Sequence, residues 1–297
     1  TVGKCVDELR LVLGEDCVLT RPEDLAGYGT AARYDRGKPA FVLSPRSSEA
    51  IRAAMSVCRS HSVTLIPQGA MNSLNPTMKV SAQIRDAILA HQNALSRREI
   101  RERIMELFSM VGLPGRIYDM YPHELSGGMK QRVCIAMAIA LRPVVIIADE
   151  STSALDVVVQ RVVAQTMLKV KETLGMSMIM IGHDMGLMAR MVDRIAVMYA
   201  GRVVEDGPAS QVLSAPLHPY TVGLIGSVPS RNRRGAELAQ IPGMTPSLLD
   251  LPEGCAFRPR CPRALDQCRQ PQPMRPLRPG QEARCCNPHT EPLEAAG

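Results

Sequence analysis

Two short stretches decide the fold of this chain: Leu125–Arg132 (LSGGMKQR) and Val144–Glu150 (VVIIADE). In the first stretch, a serine and two glycines precede a run that predicts a helix. Ser126 is a typical N-cap residue, and glycines at a helix N-terminus let an anion approach the backbone. In the second stretch, β-branched residues without polar alternation end at two carboxylates, which predicts a parallel strand covered on both faces. We therefore expect an α/β fold with a phosphate-binding turn and an acidic strand end.

Length and composition limit the class of protein. The chain has 297 residues, which predicts one large domain or two to three small ones. The formal net charge of +6 is mild and gives no indication of a nucleic-acid partner. We find no signal-peptide pattern in the first residues and no apolar run long enough to span a membrane. The expectation is a protein that is soluble or is held at a membrane by a partner.

The first quarter of the chain predicts a β-α-β unit. Residues 5–14 predict a short amphipathic helix, and Phe41–Pro45 and Val63–Pro67 predict strands. A helix predicted from Ser47 to about His61 would connect these strands as a crossover, which favours a parallel pair.

This first segment, residues 5–69, resembles the start of the flavin-binding domain of FAD-linked oxidases of the D-lactate dehydrogenase type. The residues that carry the resemblance begin at Glu8 (ELRLVLGEDCVLTRPEDLAGYGTAARYDRGKPAFVLSPRSSEAIRAAMSVCRSHSVTLIPQG). The rest of such a domain, and its substrate domain, do not follow. Because a flavin needs walls from all of these parts, we expect no FAD binding.

The residues after Val144–Ile147 have the chemistry of a nucleotide-hydrolysing site. Asp149 is placed to hold Mg²⁺ through water, and Glu150 is placed to polarise an attacking water as a general base. Residues 157–173 predict a helix and Met176–Ile181 another strand, which ends near His183.

Together these motifs resemble the ATPase domain of ABC transporters of the oligopeptide/dipeptide import type, over residues 68–290. LSGGMKQRV resembles the signature motif, VVIIADE the Walker B strand, Gln68–Pro76 (QGAMNSLNP) the Q-loop and Ser153–Asp156 (SALD) the D-loop. The resemblance implies catalytic roles for Gln68, Glu150 and His183, the last as the switch histidine. It implies that Gln68 and Asp149 serve Mg²⁺. The residues implied to contact ATP are Ser126, Gly127, Gly128, Gln131, Asp149 and Asp156.

The phosphate-binding loop of such a domain is missing from the sequence. That loop needs G-x-x-x-x-G-K-[ST], because its backbone amides and lysine surround the phosphates. Gly37-Lys38 comes nearest, but Ala32 replaces the first glycine and Pro39 the Ser or Thr, and Gly3-Lys4 lies at the very start. We therefore expect weak ATP binding and little hydrolysis by the chain alone. Ser126 is still expected to serve the site of a partner in a head-to-tail dimer.

Two further segments have clear local signals. Ser96-Arg97-Arg98-Glu99 is a capping box, and apolar residues recur behind it at helical spacing. Gly112 and Pro114 are expected to end that helix. Ile195–Met198 and Arg202–Glu205 predict a hairpin, and Pro216–Thr221 (PLHPYT) resembles a marker of peptide-importer ATPases.

Five of the nine cysteines cluster near the C-terminus. Without a secretory signal, clustered cysteines favour metal over disulfides. In the importer family, cysteines matching Cys255, Cys261, Cys268 and Cys285 are associated with a [4Fe–4S] cluster. Four thiolates suit iron–sulfur or zinc, so zinc is the second choice and unmetallated thiols the third. Cys286 is an alternative to Cys285 as ligand.

The sequence thus predicts an α/β fold: a partial ABC-type ATPase domain, which is a P-loop NTPase fold lacking its P-loop strand, over residues 67–228. An oxidase-like fragment precedes it at residues 1–66, and an irregular Cys-rich extension follows at residues 229–297. The implied function is ATP-driven import of di- or oligopeptides at the inner face of the cell membrane. Implied partners are a second ATPase subunit, transmembrane permease subunits and, indirectly, a peptide-binding protein. The alternatives are an FAD-linked oxidoreductase fragment and a non-functional fusion product.

Overall fold

The computed structural model describes residues 62–92, 95–151, 155–227 and 240–291, together with residues 7–8, 10–12, 18–19, 42–43, 47, 49, 52–53 and 56–57. The chain divides into two compact units. The first contains the described residues among 1–17 and 44–187, and the second those among 18–43 and 188–297.

Nine strands and seven longer helices are assigned within these residues. The strands are β1 Val18–Leu19, β2 Val42–Leu43, β3 Val63–Ile66, β4 Val145–Asp149, β5 Ser177–Ile181, β6 Arg194–Tyr199, β7 Arg202–Pro208, β8 Arg275–Arg278 and β9 Gln281–Ala283. The helices are α1 Val80–Leu89, α2 Arg97–Met110, α3 Gly127–Ile139, α4 Val157–Leu174, α5 Met185–Met191, α6 Ala209–Ser214 and α7 Pro219–Gly226. Short 3-10 turns lie at Ala70–Ser73, Gly115–Asp119, Pro122–Glu124, Arg258–Arg260 and Asp266–Arg269.

A parallel three-stranded sheet, in the order β3-β4-β5, organises the first unit. Ile66 pairs with Ala148, and Asp149 pairs with Ile181. The three strands therefore end at one edge of the sheet. Helix α3 contacts β3, α1, α2 and α4, and its apolar residues Val133 and Ile139 are fully buried.

Helix α2 confirms the predicted capping box. Ser96 Oγ accepts a hydrogen bond from the Glu99 amide at 3.3 Å, and Glu99 Oε2 accepts one from the Ser96 amide at 2.7 Å. The helix ends at Met110, and Gly112 follows in a left-handed conformation. Its predicted core residues are buried: Ile100, Ile104, Leu107, Phe108 and Val111.

The prediction that the strand at Val144–Ile147 is covered on both faces is wrong for the described part of the chain. Side chains of β4 alternate between buried and half-buried. The buried face carries Ile66, Ile146 and Ala148. The opposite face is apolar too, and among the described residues several of its side chains are exposed. The exposed apolar positions on that face are Leu65, Ile179 and Ile181.

The predicted parallel β-α-β pairing in the first quarter of the chain is also wrong. Strand β2 pairs antiparallel with β1, whereas β3 pairs parallel with β4. Local pattern identified the strands but not their partners, because the partner of β3 lies about 80 residues further along. The predicted helices over residues 5–14 and 47–61 are helical at residues 7–8, 10–12, 49, 52–53 and 56–57, and their other residues lie outside the described part.

An antiparallel four-stranded sheet, in the order β6-β7-β9-β8, organises the second unit. The predicted hairpin is confirmed as β6 and β7. Ala200 and Gly201, at its turn, both have positive φ, as a tight hairpin turn requires. The extension expected to be irregular instead adds β8 and β9 to this sheet.

Buried polar groups hold the second unit together. Glu205 is fully buried in β7, and its carboxylate accepts hydrogen bonds from the Leu217 and His218 amides at 2.8 and 2.7 Å. Gln281 Nε2 donates a third bond to Glu205 at 2.8 Å. These contacts tie β7, β9 and the start of α7 to one side chain. Sequence reasoning missed this role because its partners lie 12 to 76 residues away.

Candidate active site

Three predicted catalytic residues meet at the edge where the parallel strands end. Gln68 follows β3, Glu150 directly follows β4 and His183 follows β5. Gln68 Nε2 donates a hydrogen bond to Glu150 Oε2 at 2.6 Å. His183 Nδ1 lies 2.9 Å from Glu150 Oε1 and donates to it when that nitrogen carries the proton. The structure thus brings together side chains that are up to 115 residues apart in sequence.

Glu150 is the centre of this group and has an unusual backbone. Its φ of 40° lies in the left-handed region, which a residue with a Cβ adopts only at a cost of about 1 kcal/mol or more. The Glu150 amide donates to the Ile181 carbonyl at 2.9 Å, which continues the β4–β5 ladder by one residue. Its side chain is one-quarter exposed. The ladder therefore fixes the backbone while the carboxylate faces its polar neighbours and solvent.

Asp149 is the last residue of β4 and is half-buried. It lies next to Glu150 and pairs in register with Ile181. Carboxylate and amide oxygens are the ligands that Mg²⁺ prefers. Gln68 uses its amide nitrogen toward Glu150, which leaves its carbonyl oxygen for a cation. The donor types of Asp149 and Gln68 therefore fit the predicted magnesium role.

Ser126 caps helix α3, as predicted. Its Oγ accepts a hydrogen bond from the Met129 amide at 3.4 Å, and its side chain is exposed. Among the described residues, no hydrogen bond joins Ser126 to Gln68, Glu150 or His183. Within the described residues, no hydrogen bond therefore links the signature turn to the strand-end carboxylates.

The two glycines of the signature turn have a packing role that the sequence did not reveal. A Cβ on Gly128 would lie 2.4 Å from Val159 Cγ1, and one on Gly127 would lie 3.2 Å from Leu155 Cδ2. Any side chain at Gly128 would therefore force the Val159 side chain or one of the two helices to shift. The motif spacing predicted only close approach of a ligand. Tertiary packing explains Gly128, which is buried, and leaves the exposed Gly127 for ligand contact.

Two other residues predicted to contact nucleotide are engaged within the protein. Asp156 caps α4, and its Oδ1 accepts hydrogen bonds from the Val158 and Val159 amides at 3.0 Å each. Gln131 is only 2% exposed, and its Nε2 has no hydrogen-bond partner among the described residues. Gln131 is therefore buried, and its predicted nucleotide contact stays a prediction. Ser153 and Ala154 of the predicted D-loop lie outside the described residues.

The nearest approaches to a phosphate-binding loop, Gly37-Lys38 and Gly3-Lys4, also lie outside the described residues. In the part of the chain that the structure describes, no helix is both long and apolar enough to cross a bilayer.

The clustered cysteines lie around one cavity in the second unit. Cys255, Cys261, Cys268, Cys285 and Cys286 line it together with His218, Phe257 and three arginines, Arg258, Arg263 and Arg284. Its free volume of about 10 Å³ corresponds to roughly one water molecule. Cys268 Sγ and Cys286 Sγ lie 3.4 Å apart. Among the described residues, no three potential ligands are arranged to hold a single metal ion.

Burial raises the pKa of three of these cysteines. It raises the pKa of the Cys285 thiol to about 12, and it also raises the pKa of Cys255 and Cys261. The neighbouring thiols raise these pKa values further, because a second thiolate nearby would repel the first. The raised pKa values favour the thiol form of Cys255, Cys261 and Cys285 until a cation offsets the thiolate charge.

Comparisons with known proteins agree with the motifs. A family profile described as "ABC transporter" matches residues 43–153, and one described as "Oligopeptide/dipeptide transporter, C-terminal region" matches residues 204–268. The oligopeptide transport ATP-binding protein OppD of Salmonella typhimurium strain LT2 is 42% identical over 241 residues, which cover 80% of this chain and 72% of that protein. The dipeptide transport ATP-binding protein DppD of Escherichia coli K12 is 43% identical over 238 residues, 79% of this chain and 71% of that protein.

Among solved structures, CbiO1 of Clostridium perfringens, part of the ABC transporter complex CbiONQ, is 23% identical. The match covers 64% of this chain and 73% of that one, with a TM-score of 0.49.

The identities with OppD and DppD show that the chain is an ATP-binding subunit of an ABC transporter. Within that class, the chain belongs to the oligopeptide/dipeptide transporter family. The "ABC transporter" match begins at residue 43, so it includes part of residues 1–66, the segment predicted to be an oxidase-like fragment.

Proposed function

We propose that this chain is the ATP-binding subunit of an importer for di- or oligopeptides. The observation that carries the proposal is the convergence of Gln68, Glu150 and His183 where three parallel strands end. The names of the relatives OppD and DppD support peptides as the transported class.

Each residue of the site has a role in hydrolysis under this proposal. Glu150 accepts the proton of the attacking water as general base. His183 and Gln68 hydrogen-bond the two oxygens of Glu150, so they orient its carboxylate. Asp149 and the Gln68 carbonyl oxygen would hold Mg²⁺, which neutralises developing phosphate charge when bound.

The proposed partners follow from the exposed signature turn. Ser126 and Gly127 are free to contact nucleotide in a second ATPase subunit, in a head-to-tail dimer. Permease subunits in the membrane would hold this dimer at the cytoplasmic face, and a peptide-binding protein would act through them.

We further propose that this chain binds ATP weakly by itself. The G-x-x-x-x-G-K-[ST] pattern does not occur in its sequence, so a lysine and several backbone amides are missing from the phosphate contacts. A hydrogen bond to a charged group contributes about 1.5–3 kcal/mol, so loss of these contacts predicts an affinity lower by about 100-fold or more than that of an intact relative.

A titration with a fluorescent ATP analogue tests this proposal. Purified DppD is the reference, and the same chain with Glu150→Gln controls for signal from the strand-end site. Binding as tight as that of DppD would contradict weak ATP binding. Steady ATP turnover by the pure chain would contradict impaired catalysis.

We also propose that Cys255, Cys261, Cys268 and Cys285 hold a [4Fe–4S] cluster. The support is a set of thiols around one cavity, without competing carboxylates among its lining residues. A cluster binds each thiolate to a separate iron, so it tolerates widely spaced sulfurs. Zinc, the second choice, needs four sulfurs within about 3.8 Å of one another, as tetrahedral bonds of about 2.3 Å require. The side chains would rotate outward to admit the cluster.

Anaerobic reconstitution with iron and sulfide tests the cysteine site. Visible absorption should appear in the wild type and in Cys134→Ala, and it should be lost in Cys268→Ser. Stoichiometric zinc without iron in the protein as purified would favour the second choice. Absence of both metals would support free thiols.

An FAD-linked oxidoreductase is the alternative function, and residues 5–69 are its whole support. Yellow flavin absorbance that stays with the purified protein would favour it. A non-functional fusion product is the third reading, and weak hydrogen-exchange protection of β4 would favour that.

A further inference from the structure

A second cleft, in the antiparallel unit, has unsatisfied polar groups in its wall. The cleft has a volume of about 390 Å³, within the range typical of small-molecule sites. Its lining includes Gln211 and Ser214 of α6, Arg278 of β8, Gln281 of β9 and Thr290. None of these residues belongs to the strand-end site or to the cysteine cavity.

Gln281 presents an acceptor that the protein does not use. Its side chain is fully buried, and its Nε2 donates both hydrogens, to Glu205 Oε1 at 2.8 Å and to the Ala215 carbonyl at 3.1 Å. These two bonds fix the orientation of the amide. Its Oε1 then accepts no hydrogen bond from any residue that the structure describes. A buried carbonyl oxygen without a donor is costly, which points to a ligand that supplies one.

Gln211, which also lines the cleft, adds a second acceptor. Its Oε1 is also buried and has no donor within the described part of the chain. Two unused amide oxygens around one cleft suit a group with several N–H donors, such as an ammonium.

Arg278 supplies positive charge to the same cleft. Its guanidinium donates to the Ala215 and Thr290 carbonyls at 2.6 and 2.7 Å. Among the described residues, no carboxylate forms an ion pair with it. Those two bonds use two of its five N–H donors, so the group has charge and donors left for a carboxylate.

We propose that this cleft binds a small zwitterion, an α-amino acid or a short peptide with both ends free. The ammonium group donates to the oxygens of Gln211 and Gln281, and the carboxylate accepts from Arg278. A single guanidinium matches one carboxylate better than it matches a polyphosphate. The site is independent of the proposed ATPase function, because it shares no residue with it.

Calorimetric titration of the full chain with alanine, trialanine, N-acetyl-trialanine and trialanine amide tests the proposal. Trialanine or alanine should bind, and blocking either end should weaken binding at least about tenfold, as loss of a charge-assisted hydrogen bond predicts. Tighter binding of trialanine than of alanine assigns peptides, and the reverse assigns amino acids.

Variants locate the binding. Gln211→Leu removes one acceptor at nearly constant volume and should weaken binding about tenfold. Gln270→Leu, the matched change at an exposed glutamine, should leave it unchanged. Circular dichroism checks that both variants fold. Equal affinity for free and blocked ends, no binding of either zwitterion, unchanged affinity in Gln211→Leu, or binding of ATP alone in this cleft would overturn the proposal.

Discussion

The parallel sheet and the antiparallel sheet of this protein use their glutamates in opposite ways. Glu150 follows a strand, lies partly in solvent and bonds to two side chains from neighbouring strand ends. Glu205 lies inside a strand, is fully buried and bonds to two backbone amides and one side chain. A carboxylate at a strand end is available to a substrate, whereas one enclosed by backbone donors connects elements of the fold.

Matched amide substitutions should separate these two roles most strongly. Glu205→Gln replaces one accepting oxygen with a donor that faces an amide N–H, so it should lower the free energy of unfolding by about 4 kcal/mol. Glu150→Gln keeps similar shape in an open site and should change it by less than about 1 kcal/mol. Urea unfolding of both variants measures the difference. Equal losses of unfolding free energy in the two variants would mean that Glu150 and Glu205 do not differ in their structural role.

The sequence predicted the position of Glu150 because the signals for it are local. A β-branched run followed by two acids places Glu150 at a strand end, and parallel strands then bring Gln68 and His183 to the same edge. Glu205 gave no such signal, since Leu217 and Gln281 reach it only through tertiary folding. Gly128 is similar: its motif was evident, but its contact with Val159 depends on how α3 meets α4.

A buried histidine of the antiparallel unit makes stability depend on pH. Burial lowers the pKa of His218 from 6.5 to about 4, so the folded protein holds it neutral. The unfolded chain takes up a proton near pH 6.5, and the stability present above that pH is lost as pH falls toward 4. The shift of about 2.5 units corresponds to about 3 kcal/mol. The charged groups that line the same cavity are Arg258, Arg263 and Arg284.

His218→Asn isolates this contribution. His218 Nδ1 accepts from the Tyr220 amide at 3.1 Å and so caps α7, a role that asparagine can also fill. Urea unfolding at pH 7 and pH 4.5 should show a steeper loss in the wild type than in the variant. An equal loss of stability between pH 7 and pH 4.5 in the wild type and in the variant would mean that His218 is not the titrating group.

Two serine caps test whether the signature turn acts outside its own subunit. Ser126→Ala and Ser96→Ala each remove a helix N-cap, worth about 1 kcal/mol of stability. Only Ser126 is proposed to contact nucleotide in a partner subunit. In the assembled transporter, Ser126→Ala should lower ATP turnover about 100-fold, the effect of losing one transition-state donor. Ser96→Ala should leave turnover unchanged, and a similar fall in both would assign the effect to helix stability.

The smallest expected effect comes from isoleucine-to-valine substitutions on the two faces of the parallel sheet. Ile146 is 1% exposed, beneath the helices, whereas Ile179, on the open face of β5, is 53% exposed. Ile146→Val leaves a methyl-sized gap in a packed core and should cost about 1 kcal/mol. Ile179→Val removes the same methylene from solvent-exposed surface and should cost less than about 0.5 kcal/mol. Urea unfolding of both variants measures the two losses of unfolding free energy. Because the chemical change is identical, equal costs would mean that the open face is covered in solution, as the unbroken apolar run of β4 predicts.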